Sequence, residues 1–206
     1  MKQIILTTVL SFFCFVANAQ DEKSNGSDIN FGLKGGLNFA LIAGDDTGDF
    51  DGRIAFHVGA VAEFPISEKF SFQPELLYSS QGDKMTSDGM DIDFKFDYLN
   101  LPLLAKYYVA EGFSLEAGPQ IGFLLSSKVE ADGVSIDLKD VIKGIDFGLG
   151  FGLGYKLEDG LNFAARYNLG LSNIVDNNGS ILDVEIDASD TKNHNEVFQL
   201  SVGYFF

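Results

Sequence analysis

The segment 197–206, VFQLSVGYFF, constrains the fold more than any other part of the chain. Large apolar side chains alternate in it with small or polar ones; the large row is Phe198, Leu200, Val202, Tyr204 and Phe206. A repeat of two residues is typical of a β-strand with two different faces. An apolar strand at an open sheet edge favours aggregation, whereas a strand that closes a barrel is paired on both sides. The segment therefore predicts the closing strand of a membrane barrel, with its large row toward lipid.

The first residues predict a cleaved signal peptide over 1–19. Lys2 precedes an apolar run over 4–16, and Ala17-Asn18-Ala19 supplies a cleavage site for export. The run is too short to cross a bilayer as a helix. The only cysteine, Cys14, lies inside this peptide, so the mature chain is predicted to have no disulfide and no thiol chemistry. Residues 20–29 are predicted to form a periplasmic lead-in, and 30–206 the barrel.

Seven further segments alternate in the same way as the last one. They are 30–42, 53–66, 70–81, 92–107, 113–126, 144–156 and 161–172. The connections after the second, fourth and sixth are short, and the others are long and polar. Short periplasmic turns, long extracellular loops and an even strand count are typical of an outer-membrane barrel. The prediction is an all-β, eight-stranded, antiparallel up-and-down transmembrane β-barrel with both termini in the periplasm.

Two irregularities interrupt this pattern. The apolar parity changes near Tyr98, which predicts either a β-bulge or an upper part of the strand that stands clear of the membrane. Pro74, Pro102 and Pro119 fall inside predicted strands, where each removes a ladder donor, so local bulges are expected there.

Four motifs resemble the outer-membrane β-barrel domain family of Bacteroidota, often labelled porin family or PorT-like. The matching stretches are FGLKGGLN at 31–38, YLNLPLLAKY at 98–107, AGPQIG at 117–122 and ARYNLGL at 165–171. The resemblance covers nearly the whole mature chain. It implies the barrel fold and supplies no catalytic residues.

The inward-facing row of the predicted barrel carries charges of both signs. An ion-pair network is predicted, with Arg166 as its hub, from Lys34, Arg53, Glu63, Glu75, Lys106, Glu116, Asp146 and Arg166. The lumen of an eight-stranded barrel is just wide enough for side chains, and a buried charge is tolerated only when it is paired. The glycines that alternate over 148–154 fit no phosphate-binding loop, and we interpret them as room for these side chains.

Two other candidate sites carry weaker signals. Asp45, Asp49 and Asp51 have a spacing that suggests a weak cation loop, but no glutamate stands at the closing position, which favours a solvated acidic loop. His57 and His194 are the only histidines, and a hydrolytic triad would need a serine and a carboxylate near one of them. No metal and no cofactor are expected.

The formal charge of −16 disfavours nucleic-acid binding. The leading hypothesis is a small, non-enzymatic envelope protein in the outer membrane, with a side-chain-plugged lumen and acidic loops that meet an unidentified extracellular ligand. The alternatives are a narrow channel for small solutes, a lipid-modifying enzyme and a soluble lipocalin-like barrel; the glycine row argues against the last. Its expected partners are outer-membrane lipid and the barrel-assembly machinery, for which Tyr204 and Phe206 resemble the recognition signal.

Overall fold

A computed structural model describes residues 29–44, 51–87, 90–176, 180–181, 184–185 and 192–206. The predicted signal peptide and most of the lead-in lie outside the described residues. The strands are β1 Asn30–Gly44, β2 Arg53–Pro65, β3 Phe70–Ser87, β4 Met90–Tyr108, β5 Phe113–Ala131, β6 Val134–Asp137, β7 Ile145–Lys156, β8 Leu161–Gly170, β9 Ser180–Ile181, β10 Val184–Glu185 and β11 Asn193–Phe205.

Eight of these strands close into a ring of antiparallel pairs. The order around it is β1, β2, β3, β4, β5, β7, β8 and β11, and β11 pairs with β1 again. The short β6 pairs with the C-terminal residues of β5, and β9 and β10 form a separate two-stranded sheet. The predicted all-β barrel with eight strands around the ring is confirmed. Among the described residues there is no helix long and apolar enough to cross a membrane.

The two faces of each barrel strand follow the alternation of the sequence. On β11, Phe198, Leu200 and Val202 point outward and are 42%, 43% and 50% exposed. Gln199 and Ser201, between them, are buried in the lumen. The outer surface is therefore a continuous band of large apolar side chains, and the interior is mostly polar.

The two ends of the barrel differ. One end of the barrel has three short turns, over 66–69, 109–112 and 157–160, and we call it the turn end. Each turn has the same type of hydrogen bond, in which the amide of its first residue donates to the carbonyl of the first residue of the next strand. Gly112 and Gly160 adopt φ values of 71° and 93°, which a side chain would oppose. Phe206 also lies at this end, and its amide donates to the Phe31 carbonyl over 2.9 Å. The opposite end, where the longer connections lie, is called the loop end.

A register shift lies where the parity of the sequence changes. Asp97 pairs with Ser126 and Tyr98 pairs with Leu124, so the β4–β5 ladder shifts between Asp97 and Tyr98. The predicted position is correct, but the extra residue, Leu125, belongs to β5. β4 keeps its own parity, and Phe96 and Tyr98 point inward like Asn100. The large residues change parity there because the loop end of the lumen is apolar.

The bulges expected at the three prolines were wrong. The register runs unbroken past Pro74, Pro102 and Pro119, and each proline instead leaves two neighbouring residue pairs unbridged. The gaps fall at 62/74 and 63/73, at 75/102 and 76/101, and at 103/119 and 104/118. A proline removes a donor without adding a residue, so the ladder loses bonds while the register is kept.

Apolar side chains cover the loop end of the lumen. Leu138, Val141, Ile142 and Ile174, from two connections, pack on residues of the barrel wall; the wall residues are Ile42, Phe96, Tyr98 and Leu124. The two connections are joined by the Lys143 amide, which donates to Ile174, and by the Asp176 amide, which donates to Val141, each over 2.8 Å. We call the four apolar residues of the connections the loop-end cap; they are Leu138, Val141, Ile142 and Ile174.

Candidate functional site in the barrel lumen

Arg166 is the centre of a charged network that crosses the lumen. From β8, its Nη1 and Nη2 atoms donate to the two carboxylate oxygens of Glu75 on β3, each over 2.8 Å. Its Nε donates over 2.8 Å to Glu116 on β5. Arg166 is 1% exposed, and both carboxylates are buried as well. Bidentate pairing of this kind is the strongest form of ion pair that arginine makes, and here one guanidinium joins three strands.

Two lysines extend the network. The Lys34 Nζ on β1 donates to Glu75 Oε1 over 3.1 Å. Gln73 donates to the same oxygen over 2.7 Å and accepts from Lys106 Nζ over 3.0 Å. Glu75 thus receives donors from three side chains, which offsets the cost of burying its charge.

A second charged group lies nearer the turn end, around Glu63. This buried carboxylate accepts from Lys156 Nζ over 3.0 Å and from the Tyr108 hydroxyl, and it lies 3.9 Å from Lys106 Nζ. The Lys156 ammonium also stands 4.5 Å from the ring centroid of Phe205 on the closing strand. The two groups together contain four cations, Lys34, Lys106, Lys156 and Arg166, against three carboxylates.

The glycine row of β7 makes room for this network. A Cβ atom at Gly152 would stand 2.9 Å from Glu116 Oε1, and one at Gly150 would stand 3.3 Å from Arg166 Cδ. Both distances are shorter than an ordinary contact between carbon and its neighbours. The alternating glycines therefore face the long charged side chains on β5 and β8.

A neutral hydrogen-bonded layer surrounds His57. The Asn38 amide nitrogen donates to the Ser80 carbonyl and Ser79 Oγ, so Asn38 Oδ1 is an acceptor. His57 Nδ1 stands 2.8 Å from that oxygen and must carry the proton, which leaves Nε2 to accept from Ser201 Oγ over 2.9 Å. Serine, histidine and an amide thus form the hydrogen-bonded chain of a nucleophile and its base, although all three are buried.

Two residues that the sequence placed in the network lie elsewhere. Arg53 donates to Ser80 Oγ over 3.1 Å and to the Gln81 carbonyl over 2.8 Å. Asp146 accepts from Ser172 and from Asn195 Nδ2. Both are held by neutral partners toward the loop end. They share the inward parity of the network but not its height along the barrel.

The aspartate loop and the terminal aromatics are less informative. Asp45 and Asp49 lie outside the described residues, whereas Asp51 is exposed, and its amide donates to Lys84. Across the part of the chain that is described, no group of three or more histidines, cysteines, aspartates or glutamates is placed to hold a metal ion. Tyr204 and Phe206 are about half exposed on the outer face, at the turn end.

The sequence did not single out several residues that organise the site. Gln73 and Tyr108 bind the network carboxylates, and Asp83 accepts from the amides of Ile42 and Gly52 over 2.6 and 2.8 Å. Gln73 and Tyr108 share the inward parity of the network residues, and this parity was the signal that could have identified them. The signal for the loop-end cap was four leucine, isoleucine and valine residues in connections that show no repeat of two.

A family model described as "Outer membrane protein beta-barrel domain" matches residues 18–176. No curated protein matches significantly.

Among solved structures, Neisserial surface protein A is similar with a TM-score of 0.53 at 13% identity; the match covers 85% of this chain and 97% of that one. Ail, the attachment invasion locus protein of Yersinia pestis, gives a TM-score of 0.48 at 14% identity over 89% and 100%. OprG of Pseudomonas aeruginosa gives 0.43 at 16% identity over 90% and 99%. At these identities the likeness concerns the fold, and only the first of the three has a TM-score above 0.5.

Proposed function

The chain belongs to the outer membrane protein beta-barrel domain family, and on this premise we propose that it is a small, non-enzymatic barrel of the outer membrane with a plugged lumen. Its role is structural, or it meets partners outside the cell through acidic loops. The observation that carries the proposal is the Glu75–Arg166–Glu116 bridge, which ties β3, β8 and β5 together across the interior.

Two layers support the plug. The charged network occupies the middle and the turn end of the lumen, and the loop-end cap lies over the other end. An eight-stranded barrel leaves little space beyond its own side chains. Four cations against three carboxylates also leave the network close to neutral, so that it offers a passing ion little net attraction.

The surface of the loop end supports a role in contacts outside the cell. Exposed carboxylates are found there on β4, at the end of β6 and in the connections before and after β6; they are Asp91, Asp132, Asp137 and Asp140. Three lysines are exposed at the same end of the barrel; they are Lys84, Lys128 and Lys139. A surface of mixed charge with an acidic excess favours a basic or polar partner, and it steers that partner most strongly at low salt.

The finer assignment is also a proposal. The motifs favour the PorT-like, porin-family barrels of Bacteroidota. The protein would be exported through a cleaved signal peptide, inserted by the barrel-assembly machinery and surrounded by outer-membrane lipid. The turn end would face the periplasm and the loop end the outside, as in other barrels with short and long connections.

Planar-bilayer recording tests the plug. The purified wild-type protein should insert without stable single-channel steps, because side chains cross the lumen at two levels. Steady conductance that changes in Arg166→Ala would contradict the plug and favour the narrow-channel alternative. Conductance unaffected by Arg166→Ala would point to an insertion artefact, which a Lys128→Ala control should show equally.

One observation favours a second candidate function, that of a hydrolase. Ser201 donates to His57, and His57 donates to Asn38, as a nucleophile and its base would. Ser201 is only 6% exposed and lies inside the wall, so a substrate would need the lumen to open. A structural hydrogen-bonded layer explains the same bonds without such an opening.

A further inference from the structure

A groove of about 410 Å³ runs over the outer face of the barrel, near the turn end. We call it the alanine groove, because two alanines of β2 form its base. Its principal lining side chains are Phe31, Leu33, Ala60, Ala62, Leu76 and Leu101.

The register of the sheet explains the shape of the groove. Leu33 of β1 and Leu76 of β3 lie on either side of Ala60, and Phe31 lies beside Ala62. Leu33 and Leu76 are 47% and 50% exposed and stand away from the wall, whereas the alanines carry only a methyl group. β2 therefore presents a narrow trough between two taller rows of side chains.

Backbone pairing is interrupted beside the same groove. Pro74 lines it, and the pairs 62/74 and 63/73 between β2 and β3 are unbridged. Pro102 leaves 75/102 and 76/101 unbridged on the other side of β3. At this height β3 lacks bridged pairs on both of its sides, so packing against its outer face would stabilise the wall where its ladder is interrupted.

The chemistry of the lining limits what can occupy the groove. Among the described residues that line it, Glu75 has the one charged side chain, and its carboxylate points into the lumen, where Arg166 and Lys34 bind it. The groove is continuous with the apolar band on the outer face, and Leu33 and Leu76 bound it on either side. An acyl chain in a bilayer is already out of water, so the hydrophobic effect does not favour its binding in the groove. It gains close van der Waals contact, because the small alanines let it approach the backbone.

We propose that the alanine groove is a fixed binding site for one acyl chain of a phospholipid. The chain lies along β2 over Ala60 and Ala62. Because the groove is near the turn end, the lipid belongs to the periplasmic leaflet; this last point rests on the orientation proposed above, whereas binding in the groove does not.

Native mass spectrometry tests the site in the full mature barrel, purified from membranes in mild detergent. The wild type should keep one phospholipid through release from the micelle. In Ala60→Phe/Ala62→Phe the aromatic rings fill the trough, and this adduct should be lost. The matched control is Ala165→Phe, since Ala165 also faces outward between two leucines, in a more open groove of about 500 Å³. The control should keep the adduct.

Each other outcome overturns the proposal. A wild type without an adduct, or an adduct kept by Ala60→Phe/Ala62→Phe, excludes a fixed site in this groove. A second copy of the chain that is released by the same variant would make the groove a dimer contact. A retained lipopolysaccharide would place the site in the other leaflet. Resistance of the folded band to heating in detergent separates a loss of lipid from a loss of fold, and bilayer conductance tests the plug separately.

Discussion

Arg166 and Glu75 are 91 positions apart in the sequence and face each other across the lumen through two parallel hydrogen bonds of 2.8 Å. Each bond leaves from a different nitrogen of one guanidinium and ends on a different oxygen of one carboxylate. The pair therefore fixes the distance between β3 and β8, which are not neighbours in the ring.

Removing Arg166 should destabilise the barrel more than removing any other cation of the network. Arg166→Ala leaves Glu116 without its arginine and Glu75 with Lys34 and Gln73 only, and breaking a buried pair typically costs about 3–5 kcal/mol. Lys34→Ala leaves Glu75 bound by both nitrogens of Arg166, so its cost should be smaller. Lys128→Ala, on the exposed surface, should stay within about 0.5 kcal/mol. Urea unfolding in detergent or lipid gives the order, and equal midpoints for Arg166→Ala and Lys128→Ala would contradict the network.

The loop-end cap should detach when a charge is placed inside it. Ile174 is 3% exposed, and Ile174→Asp would bury an unpaired carboxylate. Trypsin should then cut after Lys139 or Lys143, which belong to the connection that Ile174 holds. Leu171→Asp is the control, because Leu171 is 60% exposed in the same connection as Ile174. The fragments of both variants are identified by mass spectrometry. If the two variants are cut at the same sites, the cap is not held by this contact.

Ser201 should not react as an enzymatic nucleophile. Although His57 accepts its proton, the hydroxyl lies inside the barrel wall and a bulky reagent has no path to it. A fluorophosphonate probe should leave the folded protein unlabelled. In-gel fluorescence that disappears in Ser201→Ala would support the hydrolase instead.

Deletion of Phe206 should reduce the amount of assembled barrel and leave export intact. The residue is exposed on the outer face at the turn end, where a recognition factor could bind an aromatic side chain. Surface-accessible barrel is measured against total exported protein. Deleting the side chain alone, in Phe206→Ala, separates the aromatic ring from chain length, and unchanged assembly in both variants would refute the signal.

The mature protein should fractionate with outer membranes and migrate faster on a gel before heating than after it. A ring of antiparallel pairs without an open edge resists detergent until it is unfolded by heat. Recovery in the soluble periplasmic fraction, with one mobility at both temperatures, would contradict this location.

The sequence predicted the barrel because alternation reports the face of a residue directly. Gln199 and Leu200 take the sides that their pattern indicates, and so do most residues of β1 and β7. Parity does not report how far along the barrel a residue lies. Arg53 and Asp146 were therefore predicted to join a network that lies nearer the turn end than they do. The chemistry of proline predicted lost bonds correctly, but a lost bond is not an inserted residue, and the expected bulges were wrong.

The loop-end cap was not predicted for a different reason. Leu138, Val141, Ile142 and Ile174 stand in connections without a repeat of two, where one or two apolar residues are usually of no consequence. They become a cluster only when two connections that are far apart in the sequence meet over the lumen. The apolar parity of Phe96 and Tyr98 reported the other half of this contact, but it was interpreted as a β-bulge or as a part of the strand clear of the membrane, and not as an apolar layer inside the lumen.

The pairing of β1 with β11 has a consequence for the order of folding. Gly32 lies opposite Phe205, so the last rung of the ring joins two ends of the barrel sequence. Contacts of such long sequence separation form slowly, because the entropy of closing the intervening loop is lost before any bond compensates for it. If the chain is exported N-terminus first, as proposed above, it cannot complete the ring until β11 has emerged. Until then its apolar rows would be unpaired at the ring edge and would need protection from aggregation, and the length of that period would depend on the rate of export rather than on the stability of the finished barrel.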